Sequence, residues 1–169
     1  KEKTMELLKD CQKESYSIKS IGTKKSERNP SAPYTTSSLQ QDAANKLGYS
    51  PKRTMEVAQK LYEGGYITYM RTDSLYLSKE ALDKIKTQIT DLFGEKYVRM
   101  KEYKTKSKGA QEAHEAIRPT KIDKITMNNE GGSLYRLIWQ RTMMSQMSAT
   151  KVDIMTIKIG MEKRKELFI

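Results

Sequence analysis

The segment Tyr69-Met70-Arg71-Thr72-Asp73-Ser74 holds the side chains best suited to chemistry. It stands where the apolar run Tyr66-Ile67-Thr68-Tyr69-Met70 gives way to polar residues, and loop positions held by a rigid scaffold are favoured places for function. Tyr69 offers a phenol, Arg71 a permanent charge on a planar donor fork, and Asp73 with Ser74 a cap-like or turn-forming pair. A tyrosine attacks phosphorus when its oxygen loses its proton and the phosphate charge is clamped. An arginine two residues further along a strand shares the tyrosine's face. The same residues also read as a core aromatic followed by a surface salt-bridge arginine, because the chain has ten tyrosines.

The second cluster is Ala113-His114-Glu115-Ala116-Ile117-Arg118-Pro119. A helix over about 110–117 puts His114 and Arg118, four residues apart, on one side. Both then address one phosphate, the histidine as donor or proton shuttle and the arginine as anchor. The other reading makes His114 a satisfied polar residue and pairs Arg118 with Glu115 or with the last helical carbonyls. Lys52, Arg53 and Lys60 are basic residues available to DNA on a helix pair over 38–63, although no Asn or Arg pattern for base reading stands out. One His, one Cys and scattered carboxylates supply no metal ligand set, and Glu112 and Glu115 read as helix surface. Met143, Met144 and Met147 read as irregular core packing, and Trp139 as packing rather than base stacking.

The elements that must position these groups follow from periodicity. Tyr16, Ile18 and Ser20 alternate with Ser17, Lys19 and Ile21, which predicts a strand over 15–21 ended by Gly22. Residues 22–33 collect Gly, Ser, Asn and Pro and read as a linker. Ser37 and Gln40 have capping-box spacing ahead of Leu39, Ala43 and Leu47, with Gly48 as the stop. Ser50-Pro51 opens a second helix with Met55, Ala58, Leu61 and Tyr62 as its apolar stripe, ended by Gly64-Gly65. This pair is a helix-turn-helix candidate, and the apolar run 66–70 reads as the strand that completes a winged-helix core. A further helix starts near Ser78, with Leu82, Ile85, Ile89, Leu92 and Phe93 on one face and Gly94 at its end. Past a polar stretch containing Asn128 and Asn129, a helix from about Ser133 buries Leu134, Leu137, Ile138, Met144 and Met147. Residues 151–159 read as a strand. The two outer strands either tie to each other or belong to a neighbouring sheet outside the chain, and the second reading is preferred.

Composition narrows the class of partner. The 169 residues include 32 Lys+Arg and 21 Asp+Glu, for a net charge of +11. That favours a polyanion without naming one. Residues 96–124 carry Lys96, Arg99, Lys101, Lys104, Lys106 and Lys108 ahead of Gly109, which reads as a solvated loop that touches a phosphate backbone or only solubilises the surface. No stretch of 18 apolar residues exists, so a membrane-spanning helix is excluded. The N-terminus has no secretory pattern, and Cys11 stands alone, which predicts no internal disulfide and a reducing, intracellular setting. The missing initiator Met is read as a chain cut from something longer.

Three ordered motifs then resemble one family. Gly65-Tyr66-Ile67-Thr68-Tyr69-Met70-Arg71-Thr72-Asp73-Ser74 is similar to the active-site signature of type IA DNA topoisomerases, and its Met-Arg pair is nearer the bacterial topoisomerase I branch than topoisomerase III. Pro33-Tyr34-Thr35-Thr36-Ser37-Ser38-Leu39-Gln40-Gln41 resembles the start of that family's third domain. Ala110-Gln111-Glu112-Ala113-His114-Glu115-Ala116-Ile117-Arg118-Pro119 resembles its His-containing helix. The likeness runs from about Tyr16 to Ile159.

The resemblance implies that Tyr69 attacks a DNA phosphodiester to form a 5′-phosphotyrosyl bond, that Arg71 stabilises the scissile phosphate, and that His114 binds and protonates near the cleavage site. Arg118 is then a phosphate contact; Lys52 and Arg53 remain candidate DNA contacts from the helix pair alone. The implied fold is mainly α with short β strands (α+β). A winged-helix-like catalytic domain over 34–148 is flanked by strands of an incomplete arch domain, at 1–33 with its linker and at 149–169. Mg²⁺ is implied for the parent enzyme on an acidic domain absent here, with no ATP. The implied partners are single-stranded and negatively supercoiled DNA and the other domains of the parent chain, in the cytoplasm at the bacterial nucleoid, with no membrane. On its own the chain is expected to bind DNA without relaxing it. The alternatives are a non-catalytic winged-helix DNA-binding domain and a protein-interaction module.

Overall fold

The structure is a computed structural model that describes residues 5, 9, 11–12, 15–103, 114–123, 131–161 and 167–168. The expected basic residues Lys104, Lys106 and Lys108 with Gly109, the first part of the expected helix at 110–113, and Asn128 and Asn129 lie outside the described residues. The chain forms two compact units, Lys1–Arg28 with Thr150–Ile169, and Asn29–Ala149. One is built on antiparallel strands and the other on α-helices with isolated bridges, an α+β architecture whose helical unit is winged-helix-like.

The first unit is built on a long antiparallel pair, β1 (Tyr16–Arg28) against β2 (Thr150–Met161). Its register runs from Tyr16 opposite Met161 to Arg28 opposite Thr150, with one irregularity between Ile18 and Ser20. A two-residue strand β3 (Leu167–Phe168) pairs with Ile159 and Gly160 of β2. The outer strands therefore tie to each other. Gly22 does not end β1, since it sits in the ladder opposite Thr156, and residues 22–28, read from sequence as linker, are strand. A long-range partner strand supplied the hydrogen bonds that the local glycine signal argued against.

The second unit packs four helices, α1 (Thr36–Leu47), α2 (Pro51–Glu63), α3 (Lys79–Phe93) and α4 (Gly132–Ser145), with a 3₁₀ turn over Glu95–Tyr97. Ser50 caps α2 by accepting from the Arg53 amide at 3.2 Å, with Pro51 as the first helical residue. Ser78 caps α3 by accepting from Ala81 at 3.3 Å. Gly48 ends α1 with φ +67°, a conformation that favours glycine.

The capping box of α1 is Thr35 with Ser38, not Ser37 with Gln40: the Thr35 amide donates to Ser38 Oγ at 2.9 Å, and Thr35 Oγ1 accepts from the Ser38 amide at 3.4 Å. Tertiary bonds choose this start. The Thr36 amide donates to the Thr72 carbonyl at 2.9 Å, its hydroxyl donates to the Met70 carbonyl at 2.7 Å, and the same hydroxyl accepts from the Thr72 amide at 2.9 Å. The first turn of α1 is thus bolted to the segment carrying Tyr69 and Arg71.

The run 66–70 is not a sheet strand. Ile67 forms an isolated antiparallel bridge with Pro119, flanked by Thr68 N–H to Arg118 C=O at 2.9 Å and Thr120 N–H to Tyr66 C=O at 3.0 Å. Proline has no N–H with which to extend a ladder. The described part of the expected 110–117 helix, residues 114–117, is likewise non-helical. The amides of Ala116, Ile117 and Arg118 go to Tyr76 C=O, Tyr34 C=O and Thr68 Oγ1 at 2.8, 2.8 and 2.9 Å, and a residue preceding proline disfavours helix.

One core cluster joins Tyr34, Leu39, Ala43, Ala58, Leu61, Ile67, Met70, Ile117, Leu134 and Ile138. A second joins Leu77, Ile85, Ile89, Ala116, Ile122, Trp139 and Met143. Trp139 packs there, with its indole N–H donating to the Ile122 carbonyl at 2.8 Å. Met143 rather than Met144 is buried, because Trp139 and Met143 share the i,i+4 face of α4. Leu92 and Phe93 are exposed, since the cluster under α3 stops at Ile89.

Asp42 is the polar hub of this unit. Its Oδ2 accepts from Tyr34 Oη at 2.5 Å, Lys46 Nζ at 2.9 Å and Arg141 Nη2 at 2.5 Å, tying α1, α4 and the segment before α1 together. The Arg141 guanidinium also lies 4.4 Å above the Tyr34 ring centroid. Burial opposes the Asp42 charge, but the hydrogen bonds from Tyr34 and Lys46 and the charges of Arg141 and Lys46 outweigh it, holding its carboxyl below the ordinary value. Burial, followed by the bond to Asp42, pushes the Tyr34 phenol up. We expect Asp42→Asn to lower stability by about 2–3 kcal/mol at pH 7, since it leaves partly buried donors around a neutral amide. A folded-state pKa below the unfolded value contributes stability above about pH 4, and that contribution is lost as pH falls through the folded value. The gap between wild type and Asp42→Asn in urea titrations therefore narrows in acid.

Candidate active site

Thr68 fixes the start of the candidate site. Its hydroxyl donates to the Ala116 carbonyl at 2.7 Å and accepts from the Arg118 amide at 2.9 Å, clamping the segment 116–118 beside Tyr69. Ile67 is buried against the core, and from Tyr69 onward burial alternates. Met70, Thr72 and Ser74 are buried, whereas Tyr69, Arg71 and Asp73 are exposed. The period of two expected from the sequence thus survives without a sheet, and it puts the phenol, the guanidinium and the carboxylate on the solvent side. Ser74 makes a local turn, its amide donating to Thr72 Oγ1 at 3.0 Å and its hydroxyl accepting from the Tyr76 amide at 3.1 Å.

Tyr69 is 38 % exposed. Its ring lies 6.1 Å from the His114 ring, tilted by 35°, so the structure brings these two expected residues together. Tyr62 is the other ring neighbour of Tyr69, with centroids 5.2 Å apart and ring planes at 69°. Tyr62, expected in the apolar stripe of α2, is 40 % exposed. Arg71 is exposed and makes no ion pair or side-chain hydrogen bond among the described residues.

Arg118 has a different environment. Its guanidinium donates to Glu115 Oε2 at 2.6 Å and to the Pro119 carbonyl at 3.0 Å, while its buried Nε has no hydrogen-bond partner among the described residues. Glu115 Oε1 in turn accepts from the Ser78 amide at 2.7 Å, at the start of α3. Burial raises the Glu115 carboxyl, but the bonds from Arg118 and Ser78 outweigh it and hold it below the ordinary range. The carboxylate next to His114 therefore locks this segment to α3. The Ser78 partnership carries no local signal, since 37 residues separate its ends. Lys52 and Arg53 are exposed on the first turn of α2, with the Arg53 guanidinium 4.2 Å over the Tyr49 ring. Ten residues of helix, about 15 Å at 1.5 Å per residue, separate Lys52 from Tyr62, so these two basic residues do not join the Tyr69–His114 pair.

Among the described residues no three His, Cys, Asp or Glu side chains gather as a metal site. No helix among them is long and apolar enough to cross a membrane. What the arrangement offers is a half-exposed phenol with two ring neighbours, an unengaged guanidinium two residues on, and an imidazole held by a braced segment. Those are parts for nucleophilic attack on a charged, oxygen-rich centre.

Known proteins match this chain along nearly its whole length. The family model described as DNA topoisomerase matches residues 1–168. The protein named DNA topoisomerase 1 type prokaryotic, from Acanthamoeba polyphaga mimivirus, is 47% identical over 169 residues, which take in 97% of this chain and 20% of that protein. DNA topoisomerase 1 of Helicobacter pylori is 44% identical over 178 residues, 95% of this chain and 24% of that one. The solved structure of full-length topoisomerase I from Thermotoga maritima is similar with a TM-score of 0.72 at 35% identity, over 96% of this chain and 28% of that one. The chain spans 20% and 24% of the length of these two curated relatives. On the family match, the identities and the shared fold, the chain belongs to the DNA topoisomerase family, in its bacterial, type IA branch.

Proposed function

We propose that this chain is the catalytic-tyrosine part of a longer type IA topoisomerase and that Tyr69 is its nucleophile. The Tyr69 oxygen, having given up its proton, forms a bond to a DNA phosphorus while the bond from that phosphorus to the 3′ oxygen breaks. The 3′ oxygen leaves as a hydroxyl after taking a proton, and the DNA 5′ end stays on the enzyme as a phosphotyrosyl ester. One phosphoester replaces another, so reversal reseals the strand without ATP. Arg71 clamps the phosphate charge, and His114 binds the phosphate region and assists proton delivery. Passage of a strand through this transient break relaxes negative supercoils. The observation that supports this reading is the half-exposed Tyr69 ring in contact with the His114 and Tyr62 rings, with an unengaged, exposed Arg71 two residues on.

Lys52 and Arg53 fit a tracking contact to the DNA backbone away from the reacting phosphate. Arg118 is engaged by Glu115, and its part is to hold the His114 segment as much as to meet a phosphate. Magnesium, which the family implies, is assigned to acidic side chains of a domain outside this chain. The described residues form no cluster that fits it, and none of the steps above runs through the ion. The remaining partners in this reading are single-stranded and negatively supercoiled DNA and the arch and acidic domains of the same protein, at the bacterial nucleoid.

The isolated chain is the direct test. Fluorescence anisotropy with labelled single-stranded DNA is expected to show binding that weakens steeply with salt, the log–log slope being about 0.7 per neutralised phosphate. Plasmid incubated with the chain and magnesium is expected to stay supercoiled. A ladder of relaxed topoisomers would overturn the dependence on further domains. Absence of salt-sensitive DNA binding would favour a protein-interaction module.

A further inference from the structure

Tyr69 has two ring neighbours, and the proposed chemistry uses only His114. The other, Tyr62, stands on the last turn of α2, where its place is set by the helix rather than by a loop. Leu61 and Ala58 beside it are in the core. Beyond it the chain turns back at once, with Gly65 N–H donating to the Tyr62 carbonyl and Tyr66 N–H to the Leu61 carbonyl, both at 2.8 Å. Gly64 leaves room for this return, since a Cβ there would come within 2.7 Å of the Tyr66 ring. Tyr69 is anchored from its other side by the Thr68 clamp and by buried Met70. The two tyrosines are therefore rigidly placed backbones whose rings meet edge to face, 5.2 Å apart at 69°.

A half-exposed tyrosine with one neighbour is free to visit several staggered χ1 wells, most of which aim its oxygen away from the substrate. A second ring removes those wells before the DNA arrives, which is how a nucleophile is held near an attack geometry. Resting on the reading of Tyr69 as the nucleophile, we propose that Tyr62 is a positioning residue, whose ring holds the Tyr69 ring in its place beside His114. The contact is ring to ring, so the Tyr62 hydroxyl is dispensable to it.

The experiment compares Tyr62→Phe and Tyr62→Ala in the full-length enzyme, measuring single-turnover cleavage of a single-stranded oligonucleotide and, separately, its Kd. An edge-to-face pair supports an effect of up to about 10-fold. Tyr62→Phe is expected to cleave within about twofold of wild type, and Tyr62→Ala about 10-fold more slowly with its Kd within about twofold. In NMR spectra of the same variants, Tyr62→Ala is expected to average the Tyr69 ring signals while the Met70 and Ile117 methyl shifts stay in place. Wild-type cleavage by Tyr62→Ala would overturn the proposal. So would a loss confined to Kd, which makes Tyr62 a DNA contact, or a Phe variant as slow as the Ala variant. Tyr69→Phe is run in parallel: if it still cleaves, the nucleophile assignment itself falls, whereas an inactive Tyr69→Phe beside a normal Tyr62→Ala removes only the positioning role.

Discussion

Tyr69→Phe in the full-length enzyme is expected to abolish covalent capture of DNA, with the cleavage rate down by at least about four orders of magnitude. The substitution removes one oxygen and little else. The Tyr69 hydroxyl makes no hydrogen bond among the described residues, and the ring contacts to Tyr62 and His114 do not need it. Stability should therefore move by less than about 0.5 kcal/mol, as for a surface change that breaks no packing. Single-stranded DNA affinity should stay within about twofold, because the basic groups that hold the backbone are untouched. A loss of chemistry with fold and binding intact separates a nucleophile from a scaffold aromatic. The measurement is an SDS-resistant complex with an oligonucleotide labelled at its 3′ end, the label that stays with a 5′-linked protein. Wild-type levels of that complex would remove Tyr69 from the reaction and favour a non-catalytic DNA-binding domain.

The features legible in the sequence were those whose cause is local. Ser50 before Pro51, Ser78 before α3, and Gly48, Gly64 and Gly94 after their helices all act within one turn of chain, and each stands where its residue type predicts. The same is true of the alternation from Tyr69 to Ser74, which needs no partner strand alongside. Features set by distant partners were misread. Gly22 stays in a strand because Thr156 lies opposite it, and α1 begins at Thr36 because Met70 and Thr72 supply partners for its hydroxyl and amide. Residues 114–117 have helical-looking composition, yet the amides of Ala116 and Ile117 donate to the distant carbonyls of Tyr76 and Tyr34 instead of to a helical turn. The site divides in the same way. Side-chain chemistry and motif likeness single out Tyr69, Arg71 and His114 as candidates, while the geometry around them depends on pairings no local pattern encodes: Tyr62 against Tyr69, and Glu115 between Ser78 and Arg118.

Two arginines flank this site, and their surroundings predict opposite consequences of losing them. Arg118 is tied to Glu115 and Pro119, so truncating it leaves a partly buried carboxylate short of a donor and acts first on stability. Arg71 has no such partner among the described residues, and truncating it costs the fold little. Its guanidinium is instead free to meet charge that arrives with the substrate and grows as the phosphorus is attacked. Arg71→Ala is therefore expected to slow single-turnover cleavage by about 10²–10³-fold, the scale for removing one preorganised donor from a developing oxyanion, with unfolding midpoints unchanged. Its DNA affinity should fall modestly, and the salt slope should drop by about 0.7, the share of one phosphate on a single strand. Arg71→Lys restores the charge but not the planar two-donor fork, so it should recover about tenfold of the lost rate and leave the rest. If Arg71→Lys were as fast as wild type, a point charge would suffice and the bidentate role would fall. If Arg71→Ala kept its cleavage rate, the exposed guanidinium would be surface charge, and stabilisation of the scissile phosphate would have to come from a group outside this chain.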